Sequence, residues 1–175
     1  MNRDKKHDMA SPCGQKLPID GIKLSGELVQ INLLPGTDFS AARLFCEMAG
    51  RRINMRLVTL DAAADRLAGA CCIAAEDLAR AQPVLEAASG ALQVIERVGS
   101  LTVFPHRARF DLFECMLSGF ARRGLPVHAI ASSLAALTFT TDYGRLDEAA
   151  AAVLEKAALP DNHAPFRPEF KVRQI

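Results

Sequence analysis

The sequence has no excess charge of either sign and no long apolar run. Its 21 lysines and arginines are balanced by 20 aspartates and glutamates, so no net field favours nucleic acid, anionic lipid or an acidic partner. No run approaches the roughly 18 to 20 apolar residues that span a bilayer, and the polar start has no apolar stretch of the signal-peptide type. We therefore expect a cytoplasmic protein with no nucleic-acid or membrane partner.

The cysteines lack the spacing of a metal site or a disulfide framework. Five are present, an odd number, with no C-x-x-C pair and no Cys/His spacing suited to zinc. Adjacent Cys71 and Cys72 lie in the apolar run LAGACCIAA, where cysteine usually behaves as a small buried hydrophobe. The alternative, a reactive thiol, requires a lowered thiol pKa and solvent access. We expect no metal site and no cofactor.

Sequence motifs of common catalytic sites are also missing. The chain contains no G-x-x-x-x-G-K-[ST], no G-x-G-x-x-G, no H-E-x-x-H and no G-x-S-x-G. His128 stands in a strand-like stretch without a second histidine or other companion, which favours a structural role over that of a base or metal ligand. We predict that the chain is not an enzyme and has no catalytic residues.

Each half of the chain carries the same order of strands and helices. In the first half, residues 28–34 favour a strand that Pro35-Gly36 ends. Residues 38–52 then have apolar side chains at three- and four-residue steps, which is typical of an amphipathic helix, with Asp38 or Ser40 placed to cap it. Two strands, a second helix and a final strand complete a βαββαβ unit.

The second half repeats this order, with residues 166–175 as its closing edge strand. Two such units predict an α+β fold of two ferredoxin-like sandwiches, each with helices on one face of an antiparallel sheet. We assign residues 21–98 to the first unit and 99–175 to the second, after a flexible polar leader over residues 1–20; residues 21–24 either add to the first unit or cross to the second. Because small units hide exposed sheet faces and edges, we expect the two units to pack together and the chain to dimerise.

Two stretches of the sequence carry a resemblance to a known family. Residues 21–58, GIKLSGELVQINLLPGTDFSAARLFCEMAGRRINMRLV, resemble the start of the aspartokinase regulatory region, where a Gly-Ile strand leads into the first of two ACT domains. Residues 122–154 resemble the second ACT unit, in which a helix ends at glycine and a hydrophobic strand leads to a Ser-rich turn. The resemblance covers about residues 20–158 and implies a tandem ACT protein.

The resemblance also implies where a ligand binds. In ACT proteins the ligand contacts lie in the loop between the first strand and first helix and at the start of the second strand. Free amides at a helix N-terminus suit a carboxylate, Asp38 can meet an amino group, and Asn54 offers both donor and acceptor. An alternative is that Asp38 and Ser40 are helix caps only. By position, the implied ligand-binding residues are Gly36, Thr37, Asp38, Phe39, Ser40, Asn54 and, after Pro126, Val127.

For function, the resemblance implies a non-catalytic, homodimeric regulator that binds a small metabolite, an amino acid, at an interface between ACT units. Such a protein acts on an amino-acid biosynthetic enzyme through linkage, because a ligand shifts its partner only by differing affinity for two arrangements. The alternative is an interaction module without a ligand, which assembles with such an enzyme.

Overall fold

The computed structural model describes residues 16–36, 39–63, 66–105 and 110–167. The described strands are β1 (Leu17–Pro18), β2 (Gly21–Leu24), β3 (Leu28–Leu33), β4 (Met55–Ala63), β5 (Arg66–Ala74), β6 (Leu92–Phe104), β7 (Ala129–Ser132), β8 (Leu137–Asp142) and β9 (Ala157–Ala158). The described helices are α1 (Ala41–Gly50), α2 (Leu78–Ala87), α3 (Phe110–Arg122) and α4 (Leu146–Leu154). One 3₁₀ turn leads into α2 and another into α4.

The first unit consists of β3, α1, β4, β5, α2 and the first part of β6. Its antiparallel strands lie in the order β4-β5-β3-β6, which is the order of a ferredoxin-like sheet. Successive side chains of a strand point to opposite faces, so Val29, Ile31 and Leu33 share one face and pack with Leu44 and Met48 of α1 in an apolar core. The predicted arrangement, with both helices on one face of the sheet, is confirmed.

The second unit has the order β2-β6-β8-β7, built on the last part of β6. Its fourth strand is β2, where Ile22 and Leu24 are buried in a second apolar core with α3 and α4. The sequence-based division places residues 21–24 in the first unit and gives the closing position to residues 166–175. Only the first two of those ten residues are described, and the Phe166 carbonyl accepts a hydrogen bond of 2.7 Å from the Leu24 amide at the outer side of β2.

The start of the described chain is fixed to the second unit. Residues 17 and 18 pair in parallel with residues 157 and 158, and Leu17 packs against the core of that unit. Residues 17–20 therefore do not belong to the flexible leader that we predict over residues 1–20, because Leu17 and Ile19 find apolar contacts in the second unit. Residues 1–15 lie outside the described part of the chain.

Strand β6 runs through both units, although the sequence predicts two separate strands divided at residue 98. Its pairing with β3 shifts register between Leu28 and Gln30, and Arg97 has a φ of 56°, so one bulge marks the passage from one unit to the other. The outermost strands of the sheet, β4 and β7, lie in contact. The sheet is therefore folded at β6 into two layers, with a helix pair outside each.

The first helix of each unit ends in the same way. In each unit an arginine bonds to carbonyls of the turn that follows the first helix. Arg80, near the start of α2, donates to the Arg51 carbonyl at 3.3 Å, and Arg145, just before α4, donates to the carbonyls of Arg123 and Gly124 at 2.9 and 2.7 Å. Each unit thus ties its second helix to the end of its first.

Candidate functional site

The loop between β3 and α1 is the first part of the predicted site. Gly36 has a φ of 85°, a left-handed conformation that glycine adopts without strain. Phe39 is half-buried and packs on the first core. Ser40 occupies the N-cap position of α1 with extended backbone, which is one of the two positions predicted, but its side chain does not form the expected capping hydrogen bond. Thr37 and Asp38 lie outside the described residues.

Asn54 and Val127 lie at the other end of β3 from this loop. Met55 pairs with Ile73, which pairs with Val29, so the start of β4 is level with the start of β3. In the second unit, the amide of His128, the residue after Val127, donates to the Thr140 carbonyl of β8. Two residues further along β8, Asp142 pairs with Val98 of β6, and Val98 also pairs with Leu28 at the start of β3. Asn54 and Val127 both have exposed surface at that end.

A single unit therefore does not bring its own predicted site residues together. Leu33, the last residue before the loop, is level with Leu60 through their shared partner Gly69. The start of β4 lies five residues earlier on that strand, which is roughly 17 Å at a rise of about 3.3 Å per residue. A ligand that touches both the loop and an Asn54 side chain has to lie between two units.

A groove between α1 and α2 begins at Phe39 and was not anticipated from the sequence. Its volume is about 200 Å³, and its floor is formed by Leu44 and Val84. Arg43, Glu47 and Arg51 line it at successive turns of α1; the spacing of four residues was visible in the sequence as one stripe. All three charged side chains belong to exposed residues, and charges held in water contribute little binding energy.

The adjacent cysteines are buried thiols rather than nucleophiles. Cys71 and Cys72 are both fully buried in β5, and this burial raises the pKa of each thiol from 9.0 to about 12 because the interior disfavours the thiolate. For Cys72, the neighbouring Cys71 raises the pKa further. The reactive-thiol alternative, which required a lowered pKa and solvent access, is wrong for this pair.

We expect native protein at pH 8 to leave Cys71 and Cys72 unlabelled by a thiol reagent while exposed Cys46 reacts. Burial raises the pKa of these thiols from 9.0 to about 12 on folding. Their contribution to the free energy of unfolding is therefore complete below about pH 9 and is lost as the pH rises toward 12. Mass spectrometry of labelled peptides checks the first result, and unfolding at pH 8 and 10 checks the second. Cys46→Ser is the control, and rapid labelling of β5 in that variant would contradict the burial.

Within the described ranges, no three His, Cys, Asp or Glu side chains are grouped so that they can hold a metal ion. None of the described helices has both the length and the apolar character needed to cross a membrane.

No protein-family model matches the sequence, and no curated protein matches it. Among solved structures, the ligand-free regulatory subunit of aspartate kinase from Thermus thermophilus is similar with a TM-score of 0.67 and 17% identity, over 80% of this chain and 99% of that chain. The chain has the fold of an aspartokinase regulatory region. The regulatory subunit of aspartate kinase from Thermus flavus is similar with a TM-score of 0.66 and 19% identity, over 79% of this chain and 97% of that chain.

A structure of aspartokinase alpha and beta subunits is similar to the same extent, with a TM-score of 0.66 and 14% identity over 79% of this chain and 97% of that chain. These likenesses confirm the predicted fold of two ferredoxin-like ACT units. Because the identities are low, the likeness concerns the backbone arrangement and not the individual site residues.

Proposed function

We propose that this chain is a non-catalytic regulatory protein of the cytoplasm that binds an amino acid between ACT units and transmits this binding to an aspartate kinase catalytic chain. The observation that carries the proposal is the extent of the structural likeness: the similarity spans 99% of a chain that is itself a regulatory subunit. The described cysteines are free thiols, which fits a reducing compartment.

The proposed ligand site combines two copies of the chain. Gly36, Thr37, Asp38, Phe39 and Ser40 of one unit form the loop side, and Asn54 or Val127 of a facing unit forms the other. Backbone amides at the start of α1 receive the ligand carboxylate. Asp38 pairs with the ligand ammonium group, and Asn54 supplies a donor and an acceptor. A free amino acid matches this set because it carries both charges.

A homodimer is the proposed assembly, and the edge of the first unit supports it. Strand β4 ends the sheet order of the described residues, so within them one side of its backbone pairs with no strand, although β4 also contacts β7. On this edge Val58 and Leu60 are 44% and 42% exposed. An edge strand with apolar side chains is usually covered by another chain. Pairing of two β4 strands would place the loop of one copy near the second copy.

Thermal unfolding in the presence of each amino acid and S-adenosylmethionine tests ligand binding. A ligand at 100 times its Kd adds about 2.7 kcal/mol of stability, which for a chain of this length is a rise in Tm of roughly 5 to 11 °C. We expect one amino acid to raise the Tm of wild type and of Asp161→Ala, a matched change in an exposed turn, but not of Asp38→Ala. Unchanged melting with every compound would refute amino-acid binding.

The second candidate function is assembly with a catalytic chain without any ligand. Phe39, which is half-buried and packs on the first core, favours it, because a bulky residue at this position restricts the approach of a ligand to the loop backbone more than a glycine would. Size-exclusion chromatography with the aspartate kinase catalytic chain of the same organism distinguishes the two. Co-elution that no amino acid alters, together with flat melting curves, favours assembly alone.

A further inference from the structure

The surface where the two units meet contains buried polar side chains, in contrast to the apolar core of each unit. The two apolar cores have no residue in common: one is formed by β3, β5, α1, α2 and the start of β6, the other by β2, the end of β6, β8, α3 and α4. Between the folded layers lie the side chains of Gln30, Cys72 and Thr140, each 0% exposed. The two cores therefore stabilise each unit separately, while the buried apolar side chains of Leu28 and Val98, which pair with each other, belong to neither core.

Gln30 uses its full hydrogen-bonding capacity at this surface. Its Nε2 donates to Asn32 Oδ1 at 2.8 Å and to the His128 carbonyl at 3.2 Å. Its Oε1 accepts from the Thr140 hydroxyl at 2.8 Å and from the Cys72 thiol at 3.9 Å. A carboxamide has two donor hydrogens and two acceptor lone pairs, so every one of them has a partner. Two of the four partners belong to the second unit.

The partners of Gln30 are themselves anchored. Asn32 Nδ2 donates to Gln93 Oε1 at 3.2 Å, which links β3 to β6. On the second unit, the Thr140 hydroxyl also lies 3.3 Å from the Ala129 carbonyl, and His128 Nε2 lies 3.0 Å from Asp142 Oδ1. The network thus runs from β6 and β3 of one unit to β8 and β7 of the other.

Backbone pairing joins the two units next to Gln30 at Val98 of β6, which pairs with Leu28 on one side and with Asp142 on the other. The β3–β6 ladder is interrupted between Leu28 and Gln30, at the bulge that includes Arg97. A bulge leaves one residue of the ladder unpaired. Hydrogen bonds depend on geometry, so displacing one unit on the other would leave the Gln30 carboxamide without some of its partners. A buried polar group without a partner destabilises the folded state.

We propose that the Gln30 carboxamide locks the first unit onto the second in one orientation, so that the two units open as a single cooperative body. A change of β3 in one unit then moves β7 and β8 in the other through the contacts of Gln30 with Thr140 and His128. This coupling is a property of the chain alone and does not depend on which ligand or partner enzyme is bound.

Hydrogen exchange of the full chain, followed by mass spectrometry of peptides from β3 and β8, tests the lock. In wild type we expect the slowest amides of the two strands to exchange with one common opening constant. In Gln30→Leu, which keeps the size of the side chain but not its hydrogen bonds, we expect the two opening constants to differ at least tenfold. Adding Thr140→Val to Gln30→Leu should change this ratio little, since the same contact is already lost.

The matched control is Ile31→Val on the same strand, facing α1 and α2 instead of the second unit. It should weaken protection in both strands together and keep their ratio. The lock is refuted if Gln30→Leu retains a common opening constant, if wild type already shows two constants, or if Ile31→Val separates them equally. If Gln30→Leu does not fold, Thr140→Val alone removes the hydrogen bond between Thr140 and Gln30 from the side of the second unit. Opening constants of β3 and β8 that differ would then support the lock, and a common constant would refute it.

Discussion

Gly69→Ala is expected to destabilise the protein by at least about 3 kcal/mol, because it combines backbone strain with a steric clash. Gly69 has a φ of 146°, which side chains rarely allow, and pairs with Leu60 on one side and Leu33 on the other. A Cβ there would lie 2.0 Å from the Thr59 carbonyl oxygen and 2.9 Å from the Leu60 Cα. These are backbone atoms, so relief requires β4 to move away from β5.

Urea denaturation compares Gly69→Ala with Gly26→Ala, the same substitution where no atom lies within 4 Å of the added Cβ. Gly26→Ala should be neutral or slightly stabilising, since alanine restricts the unfolded chain. Gly69→Ala should also expose the amides of β4 to exchange before those of β8. Equal unfolding midpoints for the two variants would contradict the close approach of β4 to Gly69.

Local patterns made the elements of each unit predictable. The spacing of apolar residues can be read from neighbours in the sequence alone. It predicts a strand over residues 28–34, and the observed strand β3 spans Leu28–Leu33. The same holds for α1, whose stripe of Leu44 and Met48 meets the first core. Repetition of these patterns in the second half was sufficient to predict a pair of ferredoxin-like units.

The placement of β2 was not predictable in the same way. Ile22 and Leu24 alternate with Lys23, and this alternation fits an edge position in either sheet. The choice depends on distant partners: β2 pairs with residues 101–104, about eighty positions later. Sequence proximity favoured the first unit, whereas the apolar contacts with α3 and α4 exist only in the second.

Gln30 shows why part of the functional geometry escapes a pattern. In the strand ELVQINLLPG a single polar residue between valine and isoleucine normally indicates the solvent-facing side of a sheet. Here that side is covered by the second unit, and Gln30 is 0% exposed. The ligand site has a related difficulty, since the spacing of Gly36, Asp38 and Asn54 reveals neither the separation of the loop from Asn54 nor the need for a second unit.

Phe139→Ala is expected to cost about 3 to 5 kcal/mol, the usual range for removing a buried aromatic ring. Phe139 is 0% exposed, and its ring centre lies 5.3 Å from that of Phe120 and 6.0 Å from that of Phe113. The cavity would lie between β8 and α3, where helix and sheet cannot close it without losing other contacts. Phe110→Ala, at a residue that is 89% exposed, is the control and should change stability by less than about 0.5 kcal/mol.

The response of the first unit to Phe139→Ala connects stability with regulation. Phe139 contributes only to the second core, so independent units would leave exchange in β3 unchanged, whereas units joined through Gln30 would lose protection together. We expect joint loss in Phe139→Ala and loss confined to β8 when Gln30→Leu is added. Unchanged β3 protection in Phe139→Ala alone would show that a disturbance of the second unit does not reach the first, which is the step that transmission of a ligand signal through this chain requires.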